Sequence, residues 1–161
     1  IRLNWFLTIV RALQKLEKNG TLAYHGDLKP ENILVKPSGS VVLLDPALRL
    51  DERCVTTTTP HYNPLLLRDS KADVMGIGVM LYEILTGVLP FDEVPWQYAG
   101  REQGGETERL SLSFFLSYTP PKDLNPNTPE ALATIVYRCL TVQEYGLEEL
   151  ETDLVDFLRK D

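Results

Sequence analysis

The stretch YHGDLKPENILV, residues 24–35, places an acid, a base and an amide shortly before a run of apolar residues. Lys29 follows Asp27 by two positions, and Asn32 follows it by five. A second apolar run, VVLL, comes after the turn-forming residues KPSGS, and this pattern predicts a small β-hairpin. Because Asp45 follows the second run directly, we expect the hairpin to bring Asp27, Asn32 and Asp45 together at one edge.

Oxygen ligands and a positive charge in this arrangement suit the transfer of a phosphoryl group. Mg²⁺ is commonly held by a few carboxylate or amide oxygens together with phosphate oxygens, which fits Asn32 and Asp45. Asp27 could orient or deprotonate a hydroxyl group, and Lys29 could neutralise charge on the transferred group. A single Asp in a loop is more often a turn former or a helix cap, so the prediction depends on the joint spacing.

Helical periodicity dominates the rest of the chain. Apolar residues at helical spacing predict a first helix over about residues 3–18, which the sequence KNG ends. The segment SKADVMGIGVMLYEILTG, residues 70–87, is apolar on nearly all faces, as expected for a helix buried in the centre of a globular protein. Ser70 and Asp73 fit a capping box at its start, and Gly87 fits its end.

Two more helices are predicted near the C-terminus. Thr128 and Pro129 provide a cap and a first helical position for the earlier one. The apolar stripes of the two helices are Leu132, Ile135, Val136, Cys139 and Leu140, and then Leu147, Leu150, Leu154, Phe157 and Leu158. Residues 45–70 are interpreted as a long loop, and residues 88–128 contain GETERLSLSFFLSY as an uncertain helix. We therefore expect one compact domain that is mainly α with a small β-hairpin.

Composition limits the partners and the compartment. The 161 residues include 16 basic and 23 acidic ones, a net charge of -7, which argues against a nucleic-acid or anionic-membrane partner. Cys54 and Cys139 have no metal-like spacing, and no apolar run approaches the roughly 18 residues that span a bilayer. We expect a cytoplasmic protein. The chain opens at Ile1, within an amphipathic pattern, as a segment of a longer polypeptide would.

Several motifs together resemble the C-terminal lobe of the eukaryotic-type (Hanks-type) Ser/Thr protein kinases. HGDLKPENILV is similar to the catalytic loop of that family, usually written HRDLKPEN, and LLDPA stands in the place of its metal-binding DFG turn. TPHYNPL resembles the end of the activation segment, and KADVMGIGVMLYEILTGVLPF resembles the central helix and the turn after it. The resemblance implies a protein-kinase-like C-terminal lobe, with the catalytic loop at 25–32, the activation segment at 45–65 and the central helix at 71–86.

The resemblance also implies a role for each matching polar residue. Asp27 would be the catalytic Asp that accepts or orients the proton of the substrate hydroxyl group. Lys29 would contact the γ-phosphate of ATP, and Asn32 and Asp45 would hold Mg²⁺. Thr59 would be the threonine that meets the catalytic loop.

Further residues would support or line this site. Leu34 would lie under the adenine ring of ATP; the alternative is an ordinary core leucine. His25 would brace the catalytic loop, and Asp73 would hold that loop from below through backbone hydrogen bonds, in addition to its place in the capping box. His61 matches no role in the family.

The motifs of the family's other half are missing from the chain. It contains no glycine-rich loop over the phosphates, no strand lysine for the α- and β-phosphates and no helix glutamate to pair with that lysine. An ATP pocket between two lobes would need an N-terminal lobe from upstream sequence or from another chain. We therefore expect the isolated polypeptide to bind ATP poorly and to be inactive.

Three positions within the matching region depart from the family. Gly26 replaces the Arg that receives a phosphorylated activation loop in many relatives, so a charge-pairing switch there loses its anchor. Pro46 and Ala47 stand where the family has Phe and Gly. A residue before Pro is biased toward extended conformations, so we expect Asp45 to be held in a geometry that differs from the family's.

A buried ion pair of the family is also absent. The activation segment ends in NPL rather than APE, and the family's spacing puts Leu147 where the Arg partner of that Glu belongs. Removing one partner of a buried ion pair costs about 3 to 5 kcal/mol, whereas replacing both by apolar groups can be neutral or stabilising. We therefore predict that Leu65 or Leu66 packs near Leu147.

Three functions remain open. The polar residues retained in the catalytic loop favour a Ser/Thr protein kinase that acts on a protein substrate. Gly26, Pro46 and the missing lobe favour a pseudokinase or scaffold that binds a partner protein. The HGD form resembles small-molecule phosphotransferases of the aminoglycoside- or choline-kinase type, although Lys29 and the central helix are of protein-kinase type.

Overall fold

The fold is mainly helical, with one two-stranded antiparallel sheet. The structure, a computed structural model of the chain, describes residues 3–47, 59, 61–65, 67–91, 118–142 and 144–160. Its elements in chain order are helix α1 (Asn4–Lys18), a 3₁₀ turn (Pro30–Asn32), strands β1 (Ile33–Val35) and β2 (Val41–Leu43), and helices α2 (Ser70–Thr86), α3 (Pro121–Leu124), α4 (Glu130–Thr141) and α5 (Leu147–Lys160).

Helix α1 confirms the predicted first helix to within one residue. Its apolar stripe is buried, and the chain leaves the helix through Asn19 and then Gly20, whose φ of 65° is a left-handed conformation that suits glycine. The helix packs against α5. Gln14, which is buried, donates from Nε2 to the carbonyl oxygen of Leu147 over 3.2 Å and so fixes the start of α5.

Helix α2 runs through the centre of the core and is buried along almost its whole length. The predicted capping box is wrong, because the N-cap is Asp69, whose side chain accepts a hydrogen bond from the Lys71 backbone N–H over 2.9 Å. Ser70 lies inside the helix, and the Asp73 carboxylate is used elsewhere, as described below. Gly87 ends the helix in a left-handed conformation, with φ 79°, as predicted.

Two glycines allow α2 to approach its neighbours closely. A Cβ atom at Gly76 would lie 2.8 Å from the carbonyl oxygen of Leu28, and one at Gly78 would lie 2.5 Å from the Cβ of Cys139. The first contact joins α2 to the loop of residues 25–32, and the second joins it to α4. A side chain at either position would force the backbones apart.

The two C-terminal helices carry the predicted apolar stripes. All five stripe residues of α4 are buried, and so are Leu147, Leu150 and Leu154 of α5. The predicted start of α4 is wrong by one residue. The helix begins at Glu130, and the Thr128 hydroxyl, buried without a hydrogen-bond partner among the described residues, does not cap it. The backbone N–H of Thr128 instead closes a turn onto Asn125 O, 2.9 Å away, directly after the short α3.

The β-hairpin forms as predicted. Strands β1 and β2 pair antiparallel, with Ile33 opposite Leu43 and Leu34 opposite Val42. The turn between them is closed by the Lys36 N–H donating to Ser40 O over 2.9 Å. The uncertain helix of residues 105–118 and Cys54 lie outside the described residues, apart from Tyr118. In the part of the chain that the structure describes, no helix is long and apolar enough to cross a membrane.

Candidate functional site

The candidate site is built on the loop of residues 25–32, which connects α1 to the hairpin. The carboxylate of Asp73 holds the start of this loop, because its two oxygens accept the backbone N–H groups of His25 (2.7 Å) and Gly26 (2.8 Å). Burial raises the pKa of Asp73 to about 6, although the two N–H groups act in the opposite direction. The predicted supporting role of Asp73 therefore has a geometric basis in this structure.

Gly26 occupies a position that suits glycine on two grounds. Its φ is 81°, and a Cβ atom there would lie 3.0 Å both from the Cβ of Ala47 and from the ring of Tyr24. A larger residue would therefore need a strained backbone and a shift of its neighbours. Gly26 and Ala47, which both depart from the family, therefore lie next to each other in the fold.

His25 joins the loop to the hairpin. Its Nε2 forms a 2.8 Å hydrogen bond with the carbonyl oxygen of Leu44, and the Leu44 N–H donates to Asn32 O over 2.9 Å. Burial lowers the pKa of His25, so the neutral imidazole donates from Nε2. Its Nδ1 is buried without a hydrogen-bond partner among the described residues. His25 thus braces the loop against the end of β2.

Three of the predicted catalytic residues meet at one point. Asp27 Oδ1 accepts the Thr59 N–H over 2.7 Å, and Asp27 Oδ2 lies 2.9 Å from Lys29 Nζ. Lys29 Nζ also donates to Thr59 Oγ1 over 2.6 Å. Burial alone would raise the pKa of Asp27, but the hydrogen bonds from Lys29 and Thr59 outweigh it and hold that pKa below its usual range. The carboxylate is therefore ionised and oriented at neutral pH.

Asn32 is held against the same aspartate. Its Nδ2 donates to the carbonyl oxygen of Asp27 over 2.8 Å and to Asp27 Oδ2 over 3.1 Å. Because the amide nitrogen is used in this way, Oδ1 is the atom left for a cation. Asn32 is the buried residue of the 3₁₀ turn, and its backbone N–H donates to Lys29 O over 3.0 Å. Asn32 therefore fits the predicted ligand role for Mg²⁺.

Asp45 does not adopt the extended backbone that Pro46 favours, and whether its geometry differs from the family's stays a prediction. Its φ is 49°, the one positive φ among the described residues other than glycine, whereas a residue before Pro is biased toward extended backbone. The local fold overrides this bias, because the Ala47 N–H donates to His25 O over 2.7 Å and turns the chain back onto the loop of residues 25–32. The exposed carboxylate makes no hydrogen bond to a described residue, so its oxygens are available to a cation.

The remaining predicted positions have mixed outcomes. Leu34 is 51% exposed, so the alternative of an ordinary core leucine is wrong. Leu147 is buried and Leu65 packs against the core, but Leu66 lies outside the described residues, and the contact between these side chains stays a prediction. Among the described residues, no three His, Cys, Asp or Glu side chains group as metal ligands, so a cation here would depend on Asn32, Asp45 and phosphate oxygens.

Sequence reasoning missed residues that hold the surroundings of the site. Asn63 is buried, and its amide bonds both the N–H (2.9 Å) and the carbonyl oxygen (3.0 Å) of Leu67. The Tyr62 hydroxyl donates to Glu83 over 3.0 Å. The Asn-Pro dipeptide is a turn signal that could have singled out Asn63. No sequence signal distinguished Tyr62 and Glu83, which lie far apart along the chain.

Comparison with known proteins supports the protein-kinase part of the assignment made from the motifs. The family model described as the protein kinase domain matches residues 2–146. A probable serine/threonine-protein kinase PknB from Lactococcus lactis is 32% identical over 91% of this chain and 24% of its own length. The serine/threonine-protein kinase PrkC of Bacillus subtilis is 26% identical over 94% of this chain and 24% of its own length.

A plant relative matches a shorter part. The serine/threonine-protein kinase AtPK1/AtPK6 of Arabidopsis thaliana is 38% identical over 52% of this chain and 20% of its own length. The chain thus spans about a quarter of the length of the curated bacterial relatives that it matches. With a family match over most of its residues and the Asp27, Lys29 and Asn32 cluster in place, the chain belongs to the protein kinase domain family, and the bacterial relatives named above are Ser/Thr protein kinases.

Proposed function

We propose that this chain is the C-terminal lobe of a Ser/Thr protein kinase that transfers the γ-phosphate of ATP to a hydroxyl group of a protein. The observation that carries the proposal is the Asp27 carboxylate, which Thr59, Lys29 and Asn32 hold by both oxygens. A carboxylate whose pKa is lowered in this way stays ionised at neutral pH, so it can accept a hydrogen bond from the substrate hydroxyl group and orient that group.

Each residue of the cluster has a distinct part in this proposal. Asp27 orients the acceptor Ser or Thr hydroxyl group and takes its proton. Lys29 places a positive charge beside the acceptor, where negative charge develops on the transferred group. Asn32 Oδ1 and the Asp45 carboxylate would hold Mg²⁺. Bound ATP and Mg²⁺ supply the phosphoryl group and neutralise charge on its oxygens.

The donor pocket is proposed to be completed by an N-terminal lobe, from upstream sequence or from another chain. Two apolar side chains of the hairpin region support this, because Leu34 is 51% exposed and Leu44 is 39% exposed. Adenine would lie on Leu34 in the complete pocket. On this proposal, residues 1–161 alone bind ATP poorly and are inactive, and the partners of the complete protein are a protein substrate and the N-terminal lobe.

A pseudokinase or scaffold is the second candidate, and a specific observation favours it. Gly26 has no side chain with which to receive a phosphorylated activation loop, and its left-handed backbone against Ala47 disfavours a larger residue. Such a protein would keep the fold and bind a partner protein without transferring phosphate. A small-molecule phosphotransferase is a third candidate on the HGD form alone.

Phosphate transfer by the full-length protein that contains this chain distinguishes the three candidates. We expect labelled phosphate from ATP to appear on Ser or Thr of a protein acceptor, such as myelin basic protein or the protein itself. No transfer to any acceptor under Mg²⁺ would favour the scaffold. Transfer to an aminoglycoside or to choline, with none to protein, would favour the small-molecule enzyme.

A further inference from the structure

The side chain of Lys71 connects the start of α2 to the turn between α4 and α5. It lies in the first turn of α2, and its Nζ donates to the carbonyl oxygens of Val142 (2.6 Å) and Tyr145 (3.2 Å). Both acceptors belong to the turn that joins α4 to α5. One ammonium group therefore fastens this turn to the beginning of the central helix across more than seventy residues of sequence.

The charge of Lys71 is balanced mainly by backbone carbonyls. Val142 directly follows α4, where unpaired carbonyl oxygens and the helix dipole both favour a cation. Burial lowers the pKa of Lys71, and the charges of Asp69 and Glu144 act in the opposite direction, although no described carboxylate lies within ion-pair distance of the ammonium group. The neighbouring Cys139 thiol is neutral, because burial raises its pKa to about 12. Loss of Lys71 would leave carbonyls of the turn without this donor.

Lys71 also shares its helical turn with the residue that holds the catalytic loop. Asp73 lies two positions further along α2, and residues two positions apart in a helix point to nearly opposite sides. Lys71 accordingly reaches the α4–α5 turn, while Asp73 accepts the N–H groups of His25 and Gly26. In the first turn of α2, Lys71 thus contacts the α4–α5 turn on one side, and Asp73 contacts the catalytic loop on the other.

We propose that Lys71 is a positioning residue: by fastening the α4–α5 turn to the first turn of α2, it fixes Asp73 and through it the backbone of His25 and Gly26. The inference rests on the proposed function only in calling that loop catalytic. Its test reads the loop backbone and not phosphate transfer, so the two proposals can fail separately.

Hydrogen exchange of the His25 and Gly26 amides tests the role of Lys71. In Lys71→Met we expect both amides to exchange about tenfold faster, relative to the amide of the buried Val10 in α1, because the ammonium contacts are lost. Lys71→Arg, which keeps a charged donor, should stay within about twofold of the unaltered chain. Lys122→Met is the matched control, since Lys122 is an exposed lysine on α3 whose one ion pair with a described residue is with Glu130 at the surface.

The proposal is wrong if Lys71→Met leaves the exchange of the His25 and Gly26 amides unchanged. It is equally wrong if Lys71→Met accelerates these amides and that of Val10 by the same factor, as a purely structural role would. If Lys71→Met does not fold, native-state exchange of the unaltered chain in low denaturant decides. The Tyr145 amide, which bonds Val142 O, should then open together with those of His25 and Gly26. Separate openings of the turn and the loop would contradict the proposal.

Discussion

Helix α2 makes close contacts on two sides, with the catalytic loop on one and with α4 on the other, and the two sides use different polar groups. On the loop side, Gly76 admits the Leu28 carbonyl, and the buried Asp73 accepts two backbone N–H groups of the catalytic loop. On the α4 side, Gly78 admits Cys139, and Lys71 bonds the carbonyl oxygens beyond the helix.

The difference concerns what each side controls. The loop side fixes the direction of polar groups, because a charged acceptor and its donors must keep their geometry. The α4 side buries apolar surface at close range, where a single additional methyl group disturbs the core. Changes at the catalytic loop should therefore alter the rate of phosphate transfer, and changes at the contact between Gly78 and Cys139 should alter the free energy of unfolding.

The largest expected effect is on the loop side, at Asp27. In the full-length protein, Asp27→Asn keeps the size of the side chain but removes the charge that receives a proton, so we expect kcat for phosphate transfer to fall roughly 10²- to 10⁴-fold. Asp156→Asn, at an exposed position of α5, is the matched control and should leave kcat unchanged. If the Asp27→Asn variant is fully active, phosphate transfer does not need this charge. The claim that the loop side of α2 controls the rate would then be wrong.

A smaller effect, on stability instead of rate, is expected at Gly78. In Gly78→Ala the new Cβ would meet Cys139 Cβ at 2.5 Å, so we expect the free energy of unfolding to decrease by about 1 to 3 kcal/mol. Denaturant unfolding followed by circular dichroism measures it. In a double-mutant cycle with Cys139→Gly, the second change should recover part of the loss. Purely additive changes would contradict the close contact.

The pH dependence of Asp73 tests the loop side of α2 without a change at the α4 side. Its pKa of about 6 in the folded chain lies above the value of 3.8 for an ordinary Asp, so its ionisation opposes folding above pH 6. That opposition is relieved as the pH falls from about 6 to about 4. The protonated carboxyl group can no longer accept both N–H bonds as a carboxylate does, so the loop should loosen over the same range.

Residue-specific NMR separates this titration from that of His25, whose lowered pKa acts on stability in the opposite direction. We expect the ¹³C signal of the Asp73 carboxyl group and the amide signals of His25 and Gly26 to titrate with one midpoint near 6. Asp73→Asn should remove this transition from both amides. A midpoint near that of an ordinary Asp would show that the buried acceptor is not perturbed.

The smallest effect is expected away from both sides of α2. Arg11 on α1 pairs with Glu151 on α5 over 2.7 Å, but the Arg11 side chain is 57% exposed. Exposed ion pairs contribute less than about 1 kcal/mol, so Arg11→Ala should reduce the free energy of unfolding by no more than that. A larger loss in the same denaturant assay would mean that α1 and α5 depend on this pair more than on their apolar contact.

The sequence allowed prediction wherever partners lie close together along the chain. The spacing of Asp27, Lys29 and Asn32 on one loop indicated a phosphoryl-transfer site, and the turn between the apolar runs indicated the hairpin. The apolar run of α2 indicated a central helix because it left no polar face. Each of these patterns lies within a short stretch of sequence, so it can be recognised without knowledge of the packing.

Contacts that join distant parts of the chain could not be predicted in this way. Nothing near Lys71 in the sequence indicates that its ammonium group reaches the carbonyls of the α4–α5 turn. Asp73 fitted a local cap as well as a loop anchor, and only the packed structure shows that Asp69 caps the helix. At Asp45 the extended backbone that Pro46 favours is not adopted, and the nearby hydrogen bond from the Ala47 N–H to His25 O joins residues too far apart in sequence to be predicted.

The central claim is that this chain carries one half of a phosphoryl-transfer site. Titration of the isolated 161-residue chain with ATP and Mg²⁺ tests this claim most directly. Calorimetry should show no saturable binding of ATP to the isolated chain, after cooperative unfolding has confirmed that it is folded. The full-length protein with an N-terminal lobe should bind ATP saturably. Saturable binding by the isolated chain would contradict the account, because its own residues would then complete the donor pocket.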